Sequence, residues 1–166
     1  MRLLHVETLK LTEFLDSNTP EHVILSRRWR HGLNGILYED VEFSEPWTWR
    51  NRKPRAAEKV LRAREVAREL EYEYLWIGTC CIDKRSSSEL SEAINSMYLW
   101  RSKAAVCVAF LDDFDGLDDI GSSKWFTRDW TLQELMAPDN VWSYNRNWRF
   151  IDDRFPWLEH CFLPLG

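Results

Sequence analysis

No apolar tract in the 166 residues is long enough to span a bilayer as a helix, and the opening Met1-Arg2-Leu3-Leu4-His5-Val6-Glu7 turns polar too soon for a secretory signal. These absences argue against a membrane partner and make the cytoplasm the expected compartment. The four histidines, His5, His22, His31 and His160, are scattered with no H-E-x-x-H or paired-ligand spacing, and the four cysteines lack any C-x-x-C. Cys80 and Cys81 are adjacent and cannot easily bridge each other, so reduced thiols are expected, with no metal site. No G-x-S-x-G elbow surrounds any serine. The acidic run Asp112-Asp113-Phe114-Asp115-Gly116-Leu117-Asp118-Asp119 lacks the full spacing of a calcium loop and reads as a solvated loop. A net charge of −5 disfavours a nonspecific nucleic-acid binder, although arginines cluster locally.

What the chain does have is tryptophan, ten of them, within a composition that is 45% hydrophobic and 30% charged. That balance describes a soluble, globular chain of single-domain size, residues 1–166. Indoles serve cores, but they are also preferred planes for stacking heterocycles or seating a partner. The densest aromatic stretch is Ser123 to Pro138, which reads as slightly more than three helical turns. On a helix, Trp130 and Glu134 would share a face. Thr131-x-x-Glu134 also fits a capping box, and on spacing alone that is the better-supported reading.

Taken in order, Arg2–Val6 and Leu9–Leu11 read as a short extended arm or hairpin, with Phe14-Leu15 as a turn packed on the core. His22–Ser26, Tyr74–Ile77 and Ala104–Leu111 are apolar runs of the kind that form buried strands. Asn140–Tyr144 reads as a last strand and Trp148–Ile151 as an added edge. Between Leu33 and Lys53 the pattern lapses, which suggests a mobile insert carrying an exposed, lid-like pair, Trp47 and Trp49. Pro54 opens a helix that keeps an apolar rhythm to about Glu71, and Ser86-x-x-Glu89 opens another that runs to about Arg101. The alternation β-α-β-α-β-α-β implies an α/β fold with a mainly parallel sheet and helices on both faces. Ligands of such sheets bind beyond the carboxyl ends of the strands. Three polar-aromatic bursts, Ser26–Arg30, Gly78–Lys84 and Trp125–Glu134, follow strands and should therefore converge on one cleft.

The blocks Ile24-Leu25-Ser26-x-x-Trp29, Trp76-Ile77-x-Thr79-Cys80-Cys81-Ile82-Asp83-Lys84, Ser91 to Tyr98, and Trp125-Phe126-Thr127-Arg128-x-Trp130-Thr131-Leu132-Gln133-Glu134-Leu135 resemble, in order, the signature blocks of the fungal heterokaryon incompatibility (HET) domain. The family is known from fungal self/non-self recognition and cell death, usually as the N-terminal part of a larger protein. The abrupt apolar end Cys161–Gly166 suits a domain cut from a longer chain or docked on a neighbour. More distantly, the blocks resemble the Toll/interleukin-1 receptor (TIR) domain, which implies a flavodoxin-like sheet. Many TIR domains carry an NAD-cleaving glutamate in a W-x-x-x-E-L-like stretch, which Trp130 to Leu135 matches.

The resemblance implies that Glu134 is the catalytic carboxylate, stabilising oxocarbenium character on the ribose as the nicotinamide leaves, with NAD as substrate and no further cofactor. It also implies that Trp29 or Trp130 stacks on a ring and that the backbone at Thr79-Cys80 approaches phosphate or ribose. Ser26 and Asp83 join them as expected substrate-binding residues, Ser26 also reading as a hydrogen-bonding residue at a strand end and Asp83 as one that caps the next helix or orients its loop. The alternative is a catalytically silent module, or a nucleotide binder without turnover, that signals by self-association or through partner signalling domains. Departures from the family pattern fall around one cleft. Arg27, Arg28 and Arg30 replace histidine, threonine and glycine, Gly78 replaces an aspartate, and Asp129 replaces a glycine. Arginines there would either fill space a ligand needs or grip a pyrophosphate bidentately.

Overall fold

The computed structural model describes residues 1–28, 35–116, 120–128 and 131–152, apart from the side chains of Asp16 and Leu132. Among the described residues, seven strands form one sheet in the order β2-β1-β4-β3-β5-β6-β7. Strands β1 (Arg2–His5) and β2 (Leu11–Glu13) make an antiparallel hairpin, and β1 adds antiparallel to β4 (Tyr74–Trp76). The centre is parallel: β4 pairs with β3 (Val23–Arg27), β3 with β5 (Val106–Phe110), and β5 with β6 (Val141–Tyr144). Strand β7 (Phe150–Asp152) closes the far edge antiparallel to β6. The fold is thus α/β with a mainly parallel centre. The β5 residues are all buried, and only Arg27 in β3 is partly open, which is why both strands read as unbroken apolar runs.

The helices follow the sequence closely where caps mark them. Helix α3 (Pro54–Glu69) opens on its proline and buries Ala57, Val60, Ala63 and Ala67 along one stripe. Helix α4 (Ser87–Ser102) starts where the Ser86 hydroxyl accepts the Glu89 N–H. Helix α5 (Thr131–Met136) links β5 to β6. With the strand order reversing after β4, the right-handed crossover rule assigns α3 to one face of the sheet and α4 and α5 to the other, and α4 packs on α5. The parallel strands run in the order second, first, third, fourth, so the chain reverses its direction of travel between β3 and β5. That point is where doubly wound sheets open a crevice at their carboxyl edge.

Four expectations are corrected. The segment read as a mobile insert forms two short helices, α1 (Tyr38–Glu42) and α2 (Pro46–Arg52), although Leu33 and Asn34 lie outside the described residues. Asp40 holds the start of α1 by accepting the Leu37 N–H at 2.9 Å and the Lys53 ammonium at 2.6 Å. Of the expected exposed pair, Trp47 is open but Trp49 is fully buried, because Pro46 begins a helix that turns positions 47 and 49 to different sides. Phe14 packs partly on the core, against Tyr74, whereas Leu15 is exposed. The long aromatic helix shrinks to the six residues of α5, and Trp125 before it is core. The C-terminal segment 161–166 lies outside the described residues.

Two predictions concern stability. Helix α3 ends in a Schellman motif: Tyr72 N–H donates to Ala67 O, Glu71 N–H to Arg68 O, and Glu71 takes φ 63°. Replacing this left-handed residue, Glu71→Gly, is expected to raise unfolding free energy by about 0.5–1 kcal/mol, read from the urea midpoint. His22 is fully buried, with Nδ1 2.9 Å from the carbonyl of Pro20, and burial lowers its pKa below the usual 6.5. The neutral ring is the folded form, so the unfolded chain binds the extra proton. Stability is therefore full above about pH 6.5 and falls as the pH drops below it. The thermal midpoint of wild type should fall more between pH 7.5 and 5.5 than that of His22→Phe.

Candidate functional site

Strand alternation turns Ser26 and Arg27, the last residues of β3, to opposite sides. Ser26 faces α4 and α5, where its hydroxyl donates to Glu134 Oε2 at 2.6 Å and accepts Trp125 Nε1–H at 3.0 Å. Trp125 is set by the turn before α5, whose Thr131 hydroxyl donates to the Trp125 carbonyl. Both members of the expected capping box are thus committed elsewhere. Thr131 holds the turn, and Glu134 reaches back across the sheet edge to β3.

Glu134 is only 4% exposed. Arg101, near the end of α4, donates from Nη2 to its Oε1 at 3.1 Å, and Arg128 donates to Oε2 at 2.9 Å and to Oε1 at 3.3 Å. Arg101 also donates from Nη1 to Gln133 Oε1 at 3.2 Å. Both carboxylate oxygens are therefore occupied, and two guanidiniums share one negative charge. A buried carboxylate without partners would cost several kcal/mol, and this arrangement offsets that cost with charge-assisted hydrogen bonds. Burial pushes the Arg101 pKa down, and the Glu134 charge works against that. Burial likewise raises the thiol pKa of Cys107, with the Glu134 charge adding to it.

Above the clamp lies a cavity of about 440 Å³, within the range of small-molecule sites. Its wall takes Leu25, Arg27 and Arg28 from β3 and beyond, Trp76, Gly78 and Ile82 from β4 and its loop, and Thr127, Arg128 and Glu134 from the third burst. All three sequence bursts meet there, with an apolar side supplied by Leu90, Ile94 and Met97 of α4. Arg28 pairs with Asp112 at 3.3 Å and Asp113 at 3.4 Å. Asp113 also accepts the Ser123 hydroxyl and the Lys124 N–H, so part of the acidic run ties the loops together. Arg27 donates to the Thr79 hydroxyl at 3.1 Å and is desolvated enough to lower its pKa. Burial and the Arg27 charge push Lys84 down to about 8.

The other residues singled out by sequence take varied places. Thr79 is buried behind Arg27. Cys80 is fully buried, with its thiol donating to the Ile77 carbonyl, and its pKa is raised by the adjacent Cys81 thiol and by burial. Asp83 is held at about pKa 2 by the Arg85 side chain, and its carbonyl accepts the Ser86 N–H where α4 begins. Trp29, Arg30, Asp129 and Trp130 lie outside the described residues. Among the described residues no group of acidic, histidine and cysteine side chains could hold a metal ion. Sequence reasoning missed Arg101 and Arg128. Arg101 falls on the buried rhythm of Ala93, Met97, Trp100 and Ala104, where a charge needs a buried partner of opposite sign. Arg128 gave no comparable signal.

Comparison with known proteins gives two matches. The family model of the heterokaryon incompatibility protein (HET) matches residues 22–116. Vegetative incompatibility protein HET-E-1 of Podospora anserina is 36% identical over 146 residues, which cover 81% of this chain and 10% of that protein. The chain thus spans about a tenth of the length of the curated relative it matches. No solved structure matches.

Removing the carboxylate leaves the buried Arg101 charge unpaired, whereas removing Arg101 leaves Glu134 paired with Arg128. Glu134→Leu alone is expected to cost about 3–5 kcal/mol in urea unfolding, and adding Arg101→Met to it should recover part of that loss. Losses that simply add would show that the two side chains are not coupled.

Proposed function

The chain belongs to the heterokaryon incompatibility family, and from that membership we propose that it acts in fungal heterokaryon incompatibility by taking NAD into the cleft and cleaving the nicotinamide–ribose bond. The observation that carries this reading is the position of Glu134: a single buried carboxylate on the wall of a small-molecule cavity, at the sheet's switch point. In the proposed reaction the C–N bond breaks heterolytically and both electrons go to the nicotinamide nitrogen, which becomes neutral. The ribosyl carbon becomes oxocarbenium-like, and Glu134 stabilises that charge. Water then adds to the carbon and a proton is released, giving ADP-ribose.

One observation favours a second reading, a catalytically silent module. Both oxygens of Glu134 are already satisfied by Ser26, Arg101 and Arg128, as in a structural ion pair. Measuring nicotinamide release separates the two. Wild type should turn NAD over, and Glu134→Gln, with its fold verified by circular dichroism, should lose at least about a hundredfold in rate. Wild type inert toward NAD, or a variant as fast as wild type, would favour the silent module.

A further inference from the structure

The clamp is over-supplied with positive charge. Arg101 is 3% exposed and fixed by Gln133, and with Ser26 it already gives Glu134 a balanced ion pair. Arg128 is the surplus cation. Its side chain is 15% exposed, it sits on the turn before α5, and it lines the cavity. Across the cavity Arg27 makes no ion pair among the described residues: it hydrogen-bonds the neutral Thr79 hydroxyl, and the nearby Asp112 carboxylate, which favours its charge, is paired with Arg28. The Arg128 charge adds to the penalty on Arg27. Of the four arginines that line the cavity, Arg28 and Arg101 are held in ion pairs, while Arg27 is in none and Arg128 is in excess; the latter two are the donor set for an oxyanion with several acceptor oxygens. The apolar side formed by Leu90, Ile94 and Met97 suits a flat, weakly polar group attached to that anion.

We propose that Arg27 and Arg128 form a phosphate subsite for a ligand of the nucleoside diphosphate class, and that its phosphates draw Arg128 off Glu134, leaving the carboxylate paired with Arg101 and turned to the ligand. The proposal rests on the cleft being the functional site, and it explains how a fully satisfied carboxylate becomes available only when the cleft is filled. Exchange of Arg128 between two anions keeps every charge paired throughout.

The test is calorimetric titration with ADP-ribose, adenosine and sodium pyrophosphate at fixed ionic strength. ADP-ribose is not consumed by the proposed cleavage, so binding is read apart from turnover. ADP-ribose should bind at least about tenfold more tightly than adenosine, and Arg27→Gln should weaken it by about tenfold or more. Glu134→Gln removes the anion competing for Arg128, so it should bind pyrophosphate several-fold more tightly than wild type. Adenosine binding as well as ADP-ribose, or an Arg27→Gln variant that binds as wild type does, overturns the subsite. Unchanged or weaker pyrophosphate binding by a folded Glu134→Gln overturns the exchange. Arg27→Gln leaves the clamp intact, so the subsite can be tested even if Glu134→Gln does not fold. ADP-ribose binding without NAD turnover would uphold this proposal while removing the cleavage reaction. NAD turnover with Arg27→Gln unaffected would do the reverse.

Discussion

The constraint on which the rest of the molecule depends is the solvation of one carboxylate. Glu134 is buried, and an ionised group in that position is tolerable only when its hydrogen-bonding capacity is filled. Filling it requires a hydroxyl from the end of β3, a guanidinium from the end of α4, and another from the turn before α5. These parts come from positions 26, 101 and 128, so the clamp joins segments that are far apart in the chain. The Ser26 hydroxyl passes the constraint on, because accepting the Trp125 indole N–H fixes the largest buried side chain of that turn.

The topology explains why such a clamp lies beside a cavity. Strands β3 and β5 are parallel neighbours, and the connections that leave their carboxyl ends travel in opposite directions, to β4 and to β6. No helix can cover the carboxyl edge at that point, so the loops after β3 and β4 and the turn before α5 surround an opening. Helix α4 supplies the apolar side of the opening because it crosses over β3 on its way from β4 to β5. Its Trp100 also packs edge-on against Trp76 at the end of β4, which holds the helix over the strand ends.

What was legible in the sequence follows from how local each signal is. The strands β3, β4 and β5 and the helices α3 and α4 are written in runs, stripes and caps within a few residues, and they lie close to where those signals put them. The convergence of the three bursts followed from topology alone. The partners of Glu134 were not legible, because a capping box and a long-range ion pair draw on the same residue types at the same spacing. Thr131 and Glu134 met the local pattern, but desolvated arginines compete more strongly for a carboxylate than a backbone N–H does. Trp49 was misplaced for a related reason. Two tryptophans two residues apart look equivalent in composition, and only the short helix begun at Pro46 separates the buried one from the exposed one.

Of the departures from the expected family pattern, Arg27, Arg28 and Gly78 lie at the cavity and shift its charge the same way, while Arg30 and Asp129 lie outside the described residues. Where the family carries an aspartate, Gly78 contributes to the cavity wall no charge, so among the described lining residues Glu134 is the one carboxylate. Where the family carries neutral or weakly basic residues, Arg27 and Arg28 bring guanidiniums, but adjacent positions on an extended chain meet different surroundings. Arg28 meets Asp112 and Asp113 and is neutralised as part of the scaffold. Arg27 meets a threonine and keeps its charge at the cavity. Losing a negative charge and gaining a positive one in a partly desolvated wall both raise the electrostatic potential inside, where the screening that weakens surface charges is reduced. A more positive potential in a desolvated wall favours anions over cations.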